Sequence, residues 1–183
     1  MGKSTTIRNG RILGKSFLGG YNMIKVLSLD QATITGYSVF EYDKQNDDFQ
    51  LIKYGSYKSK GKTFDNKIID ICDYIEKLII DFEIDLLLIE DVQLQSNVLT
   101  FGKLSRLIGG LIELSNKRNI DILIIKPSEW RKGLKIKGKK RDELKSNSKK
   151  YVLDKYGINV SDDISDAILI GTYYFENIFQ ENE

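Results

Sequence analysis

Four acidic residues stand where a site for phosphoryl chemistry can be built: Asp30, Glu90, Asp163 and Asp166. Asp30 closes the apolar run 24–30, and Glu90 closes the apolar run 84–90. Asp163 and Asp166 are three residues apart at the start of an apolar helical segment, so they share one helix face. Carboxylates brought together repel and raise one another's pKa until a cation neutralises them. Two Mg2+ ions, roughly 3.5–4 Å apart, do this while activating water against a phosphodiester. Singly, each acid has a structural reading. Asp30 suits a strand-end turn, and Asp163 and Asp166 suit the first turn of a helix. Their coincidence is what points to chemistry. The neighbours Asp91 and Asp162 are read as solvated, with the alternative that either exchanges roles with the acid beside it.

The chain contains no histidine. That excludes Ser-His-Asp and Cys-His catalysis and the zinc sites that need imidazole. Carboxylate oxygens select hard cations, here Mg2+ with Mn2+ as its substitute. The one cysteine, Cys72, cannot form an internal disulfide and reads as a small core residue, which suits a reducing compartment. No apolar run approaches the roughly 18–20 residues of a membrane span. The N-terminus lacks an apolar stretch followed by a small-residue cleavage site. A soluble, cytoplasmic protein without a membrane partner is expected.

A net charge of +2 conceals an asymmetry. Residues 126–150 hold eleven Lys and Arg against three acids, a net of +8. A field of that sign attracts polyanions. Residues 1–22 add Lys3, Arg8, Arg11 and Lys15 with no acid. A basic surface beside acidic residues is what a nuclease needs, one part for phosphate and the other for metal. Within the basic stretch, charge density singles out Lys139 and Lys140. Trp130 reads as an anchor between this stretch and the core.

The elements that must position these residues follow from periodicity. Runs 24–30, 35–42 and 49–57 predict a three-strand antiparallel meander. Ile68, Ile71, Ile75, Leu78 and Phe82 recur at helical spacing over 63–82. Residues 84–90 predict a strand buried on both faces, hence central and parallel. A helix over 99–119 carries Gly109-Gly110, whose cost a close packing contact, with another subunit or within the chain, would offset. A strand at 120–125 is stopped by Pro127, and helices follow over 142–156 and 163–179. The order βββ-α-β-α-β-α-α gives an α/β domain with a mixed five-stranded sheet flanked by helices: three antiparallel strands, then two parallel ones. If the strands that Asp30 and Glu90 close lie side by side and parallel, both carboxylates emerge at one sheet end, where α/β sheets bind ligands. The chain of 183 residues suits one domain over 23–183. Residues 1–22 read as a flexible basic arm or leader; their Gly10–Ser16 stretch lacks the glycine spacing of a phosphate loop.

The segments Leu27-Ser28-Leu29-Asp30 with Gly36-Tyr37, Leu88-Ile89-Glu90-Asp91-Val92, and Asp163-Ile164-Ser165-Asp166-Ala167 resemble the RuvC family of Holliday-junction resolvases. The likeness runs from Ile24 to Tyr174, and its Lys-, Ile- and Asn-rich composition resembles phage or low-GC bacterial members. It implies a ribonuclease H-like fold and a homodimer with two active sites. It also implies paired, Mg2+-dependent cuts across a four-way junction in a bacterial or phage-infected cell. Asp30, Glu90, Asp163 and Asp166 match the family's metal-holding acids, and Arg131 and Lys145 its basic positions. Gln93 departs from the pattern, because well-studied members carry an aromatic there that stacks on bases. Stacking on an aromatic contributes about 1–3 kcal/mol per base. Its loss implies cleavage of a wider range of branched DNA. Alternatives are a non-catalytic branched-DNA-binding module on the same fold and an RNA-cleaving relative, since backbone contacts carry no base information. An actin-like phosphate loop, suggested by Thr33 and Thr35 after Asp30, is excluded by the chain's length and by the absence of a loop glycine.

Overall fold

Strand β3 (Met23–Asp30) is buried on both faces, and each face belongs to a different core. Ile24 and Val26 point to one, Leu27 and Leu29 to the other, as the period of two in a strand requires. Around it the computed structural model, which describes residues 6–8, 11–13, 23–32, 34–93 and 98–179, places a five-stranded sheet in the order β5-β4-β3-β6-β7. β4 (Ile34–Asp43) and β5 (Asp48–Lys58) continue β3 as an antiparallel meander. β6 (Leu86–Glu90) and β7 (Asp121–Ile125) extend it on the other side in parallel. This is the mixed sheet expected from the sequence.

Helices cover both faces. α1 (Phe64–Phe82) and α2 (Val98–Arg118) pack over Leu27, Leu29, Leu87 and Ile89. α1 starts where the Thr63 hydroxyl accepts the Asn66 N–H, and it ends at Glu83 in the left-handed region. The strand expected from Ile84 therefore begins two residues later, after that cap. On the opposite face lie α3 (Pro127–Gly133), α4 (Arg141–Tyr156) and α5 (Asp162–Tyr173), the last running into a π-helical turn at Tyr174–Phe179. α5 is buried continuously from Ser165 to Thr172. The Ser28 and Ser38 hydroxyls, 2.6 Å apart, both reach the Ala167 carbonyl, at 2.8 and 3.0 Å. Small residues at this contact let the helix lie close to β3 and β4.

α3 is an element the sequence reading missed. Pro127 does stop β7, but it also suits the first turn of a helix, where its missing N–H costs nothing. Gly110 packs within α2's own domain, against Ile68 and Cys72 of α1, while Gly109 faces open space. Most of residues 1–22 lie outside the described residues; within them a two-stranded hairpin joins β1 (Thr6–Arg8) to β2 (Arg11–Leu13). Among the described residues no helix is long and apolar enough to cross a membrane.

Candidate active site

The register of the two central strands brings the first two acids together. Leu29 pairs with Ile89 across β3 and β6, so Asp30 and Glu90 follow side by side at the carboxyl end of the sheet. The side chain of Gln31 adds a further rung. Its amide nitrogen donates to the Glu90 carbonyl, and its amide oxygen accepts the Glu90 N–H at 3.1 Å. Gln31 is buried and continues the ladder with side-chain atoms where the β3 backbone turns away.

The other two acids arrive from α5. Asp30 pairs with Gly36 across β3 and β4, and the Asp163 carbonyl rests directly on Gly36. Any side chain at 36 would overlap that carbonyl, so glycine sets how near the helix start comes to Asp30. All four acids line one cleft of about 660 Å³. The same cleft is lined by Gln93, Arg131, Lys139, Lys140 and Lys145, so the acids and the DNA-binding candidates named from the sequence converge there.

Burial dominates the electrostatics. Asp30 is held well above the usual carboxylate range by desolvation, then by the charges of Glu90, Asp166 and Asp163, with Arg131 opposing. Glu90 is pushed up to about 7 by burial, although a hydrogen bond from Trp130 and the charge of Arg131 pull it down. Burial also raises Asp163, against the charge of Lys145, and raises Asp166, against the charge of Arg131. Acids perturbed by burial and by one another's charge in a cleft are candidates for a functional site.

Arg131 is the cation among them. Its guanidinium lies 3.8 Å from Glu90 Oε1 and 3.5 Å from Asp166 Oδ2. As the side chains stand, no group of three acids among the described residues is arranged to hold one ion. Asp166 Oδ1 is nevertheless buried without a hydrogen-bond donor. An uncompensated carboxylate oxygen facing other carboxylates is a position that a cation satisfies.

Basic side chains line the same cleft. Lys145 donates to Asp162 Oδ2 at 2.7 Å, and Lys149 reaches Asp162 Oδ1 at 3.0 Å. Asp162 is therefore paired rather than solvated, and the two lysines hold its carboxyl below the usual range. Gln93 is exposed at the cleft's edge. Trp130 is fully buried, as an anchor should be, but its indole N–H donates to Glu90 Oε1 at 2.9 Å. That contact and the Gln31 clamp were not anticipated from the sequence. Only the position of Gln31, directly after Asp30, offered a signal for its role.

With this geometry established, comparisons place the chain among known proteins. A family model described as crossover junction endodeoxyribonuclease RuvC matches residues 26–173. A search of curated proteins returned no match. Among solved structures, the chain is similar to Thermus thermophilus RuvC in complex with Holliday junction substrate. That match has a TM-score of 0.66 and 11% identity and covers 84% of this chain and 96% of that one. The fowlpox virus Holliday junction resolvase matches with a TM-score of 0.62 and 15% identity, covering 85% and 99%. The yeast mitochondrial Holliday junction resolvase Ydc2 matches with a TM-score of 0.58 and 18% identity, covering 85% and 79%. At these identities the likeness is one of fold.

Proposed function

Because the chain belongs to the RuvC family of crossover junction endodeoxyribonucleases, we propose that it resolves four-way DNA junctions by metal-dependent phosphodiester hydrolysis. The observation that carries this reading is the convergence of four acids and basic side chains on one cleft. Asp30, Glu90, Asp163 and Asp166 are all-oxygen donors, and that chemistry fits hard divalent cations, Mg2+ or Mn2+, taken as a pair. When bound, such ions lower the pKa of water and offset charge on the leaving oxygen.

The chain's own residues do the rest. Gln31 fixes the backbone of Glu90. Gly36 sets the distance between α5 and Asp30. Arg131, Lys139, Lys140 and Lys145 present positive charge along the cleft, where they would hold phosphates on either side of the scissile bond. Charge of this kind grips the backbone and reads no sequence. Gln93 offers no ring for a base to stack on, which supports cleavage of forks and other branched DNA as well as four-way junctions. A four-way junction has two strands to cut, so paired incision calls for two such clefts, as in a homodimer. The reaction belongs inside a bacterial or phage-infected cell, where such junctions arise.

The test is cleavage of a labelled four-way junction, a fork and a linear duplex with Mg2+. Wild type is expected to make paired cuts in branched DNA, while Asp30→Asn and Asp166→Asn bind without cutting. Binding without any cleavage by wild type would leave only a DNA-binding role. Variants that cut as well as wild type would remove these acids from the mechanism.

A further inference from the structure

We propose that Trp130 is a positioning residue for the acid cluster: its indole N–H fixes one oxygen of Glu90 while its ring seats the guanidinium of Arg131. The consequence for catalysis rests on the nuclease reading above; the consequence for cation binding rests on reading the four acids as cation ligands. Glu90 pairs with Ile125 across β6 and β7, and α3 opens at Pro127, two residues later. One turn of that helix carries residue 130 back over the end of β6. There Nε1 donates to Glu90 Oε1 at 2.9 Å. The guanidinium of the next residue lies 4.4 Å from the same ring's centroid.

One ring thus organises two groups of the site, holding Glu90 at its edge and Arg131 at its face. Core packing does not demand this. A buried indole needs some acceptor, and main-chain carbonyls ordinarily serve. Here the acceptor is a carboxylate in the cleft. The Trp130 bond and the Arg131 contact both fall on Oε1, so Oε2 is the oxygen offered to a cation. Arg131 Nε is itself buried without a hydrogen-bond partner. Its seat is therefore incompletely satisfied, as suits a group that shifts when a cation or a phosphate enters. A carboxylate locked by a neighbour meets a metal without first choosing a rotamer, and such partners raise ligand affinity.

Trp130 is the only tryptophan in the chain, so indole emission, excited selectively over the tyrosines, reports on the surroundings of this one ring. The test uses the whole chain and Mn2+ without DNA. Mn2+ is expected to quench the wild-type emission, and Asp30→Asn is expected to lose that response. Trp130→Phe keeps a ring in the core and removes the N–H. Its Mn2+ dissociation constant by calorimetry is expected to rise about 10-fold, the lower end of what losing a ligand's hydrogen-bond partner costs. In junction cleavage its kcat is expected to fall by a similar factor with KM unchanged. An unchanged emission at Mn2+ saturation, or a Trp130→Phe variant that binds Mn2+ like wild type, overturns the proposal. If wild type shows the quench and Trp130→Phe the weakened binding, yet no DNA is cut, the nuclease reading fails and the positioning role stands. If wild type cuts and Trp130→Phe equals it in kcat and Mn2+ affinity, the positioning role fails and the nuclease stands. Should Trp130→Phe not fold, Glu90→Gln replaces it. Neutralising the acceptor is expected to shift the metal-free emission, and an unmoved spectrum refutes the contact.

Discussion

Gly36 and Asp163 touch main chain to main chain, the α-carbon of one under the carbonyl of the other, with no room between them for a methyl group. This contact joins the start of α5 to the strand that pairs with Asp30. Gly36→Ala forces the helix off the sheet. Overpacking of this kind costs about 1–3 kcal/mol in stability. Displacing the helix's acids by about 1 Å costs on the order of 100-fold in rate. Thermal melts and junction cleavage measured together check both, and a variant with wild-type activity would show that the helix tolerates the shift.

Asp30 combines deep burial with three like charges nearby, an arrangement that opposes folding until a cation arrives. Asp30→Asn is expected to abolish cleavage and, in metal-free buffer at pH 8, to raise the urea midpoint. A lower midpoint would mean that the carboxylate has a structural partner outweighing its desolvation.

Stability of the metal-free chain should depend on pH in a set direction. Glu90 is raised from its ordinary 4.5 to about 7, and Asp30 is raised as well. The folded chain therefore binds more protons than the unfolded chain between those values. The associated stability is complete below about 4.5 and lost as pH rises through 7. Asp162, lowered by Lys145 and Lys149, works the other way, losing its contribution only in acid below the ordinary carboxylate range. Melts in EDTA at pH 5.5 and pH 8 should show the higher-pH sample less stable, with Mg2+ restoring more at pH 8. Equal melting points at the two pH values would contradict the burial of these acids.

Lys145 is held by Asp162 across a 2.7 Å ion pair. If Lys145 takes a DNA phosphate, as proposed, the phosphate competes with that carboxylate. Asp162→Asn is expected to tighten junction binding, and Lys145→Ala to weaken it and reduce the salt slope by about 1. Binding isotherms at several salt concentrations distinguish the two. An Asp162→Asn variant that binds more weakly would mean that Asp162 orients the lysine rather than occupying it.

Gln31 engages both main-chain groups of Glu90. Gln31→Leu keeps the volume and removes both bonds. The expected result is a fall in kcat of about 10-fold, typical of losing support for a metal-holding group, with DNA binding retained. Single-turnover cleavage checks it.

The strands, their mixed antiparallel and parallel character and the four candidate acids were legible in the sequence because they rest on local signals. Alternation marks the strands, and an acid closing an apolar run stands out. What was not legible depends on non-local contact. Asp162 looked solvated because its lysines lie on another helix. Trp130 was read as an anchor, and it is one, but its hydrogen bond to Glu90 follows from the turn of α3, a helix concealed by reading Pro127 only as a stop. Gly36 appeared within a motif without its reason, which is the approach of a helix more than a hundred residues further along the chain.

That late helix has a consequence for the order in which the protein comes into being. A ribosome delivers the chain from its N-terminus. Asp30 and Glu90 emerge early and can be paired by β3 and β6, while Asp163 and Asp166 follow only after all five strands of the sheet have been made. A nascent chain, or one severed ahead of α5, therefore holds two of the four acids and lacks the helix that carries the other two. The order of the elements leaves the acid cluster incomplete until α5 has been made.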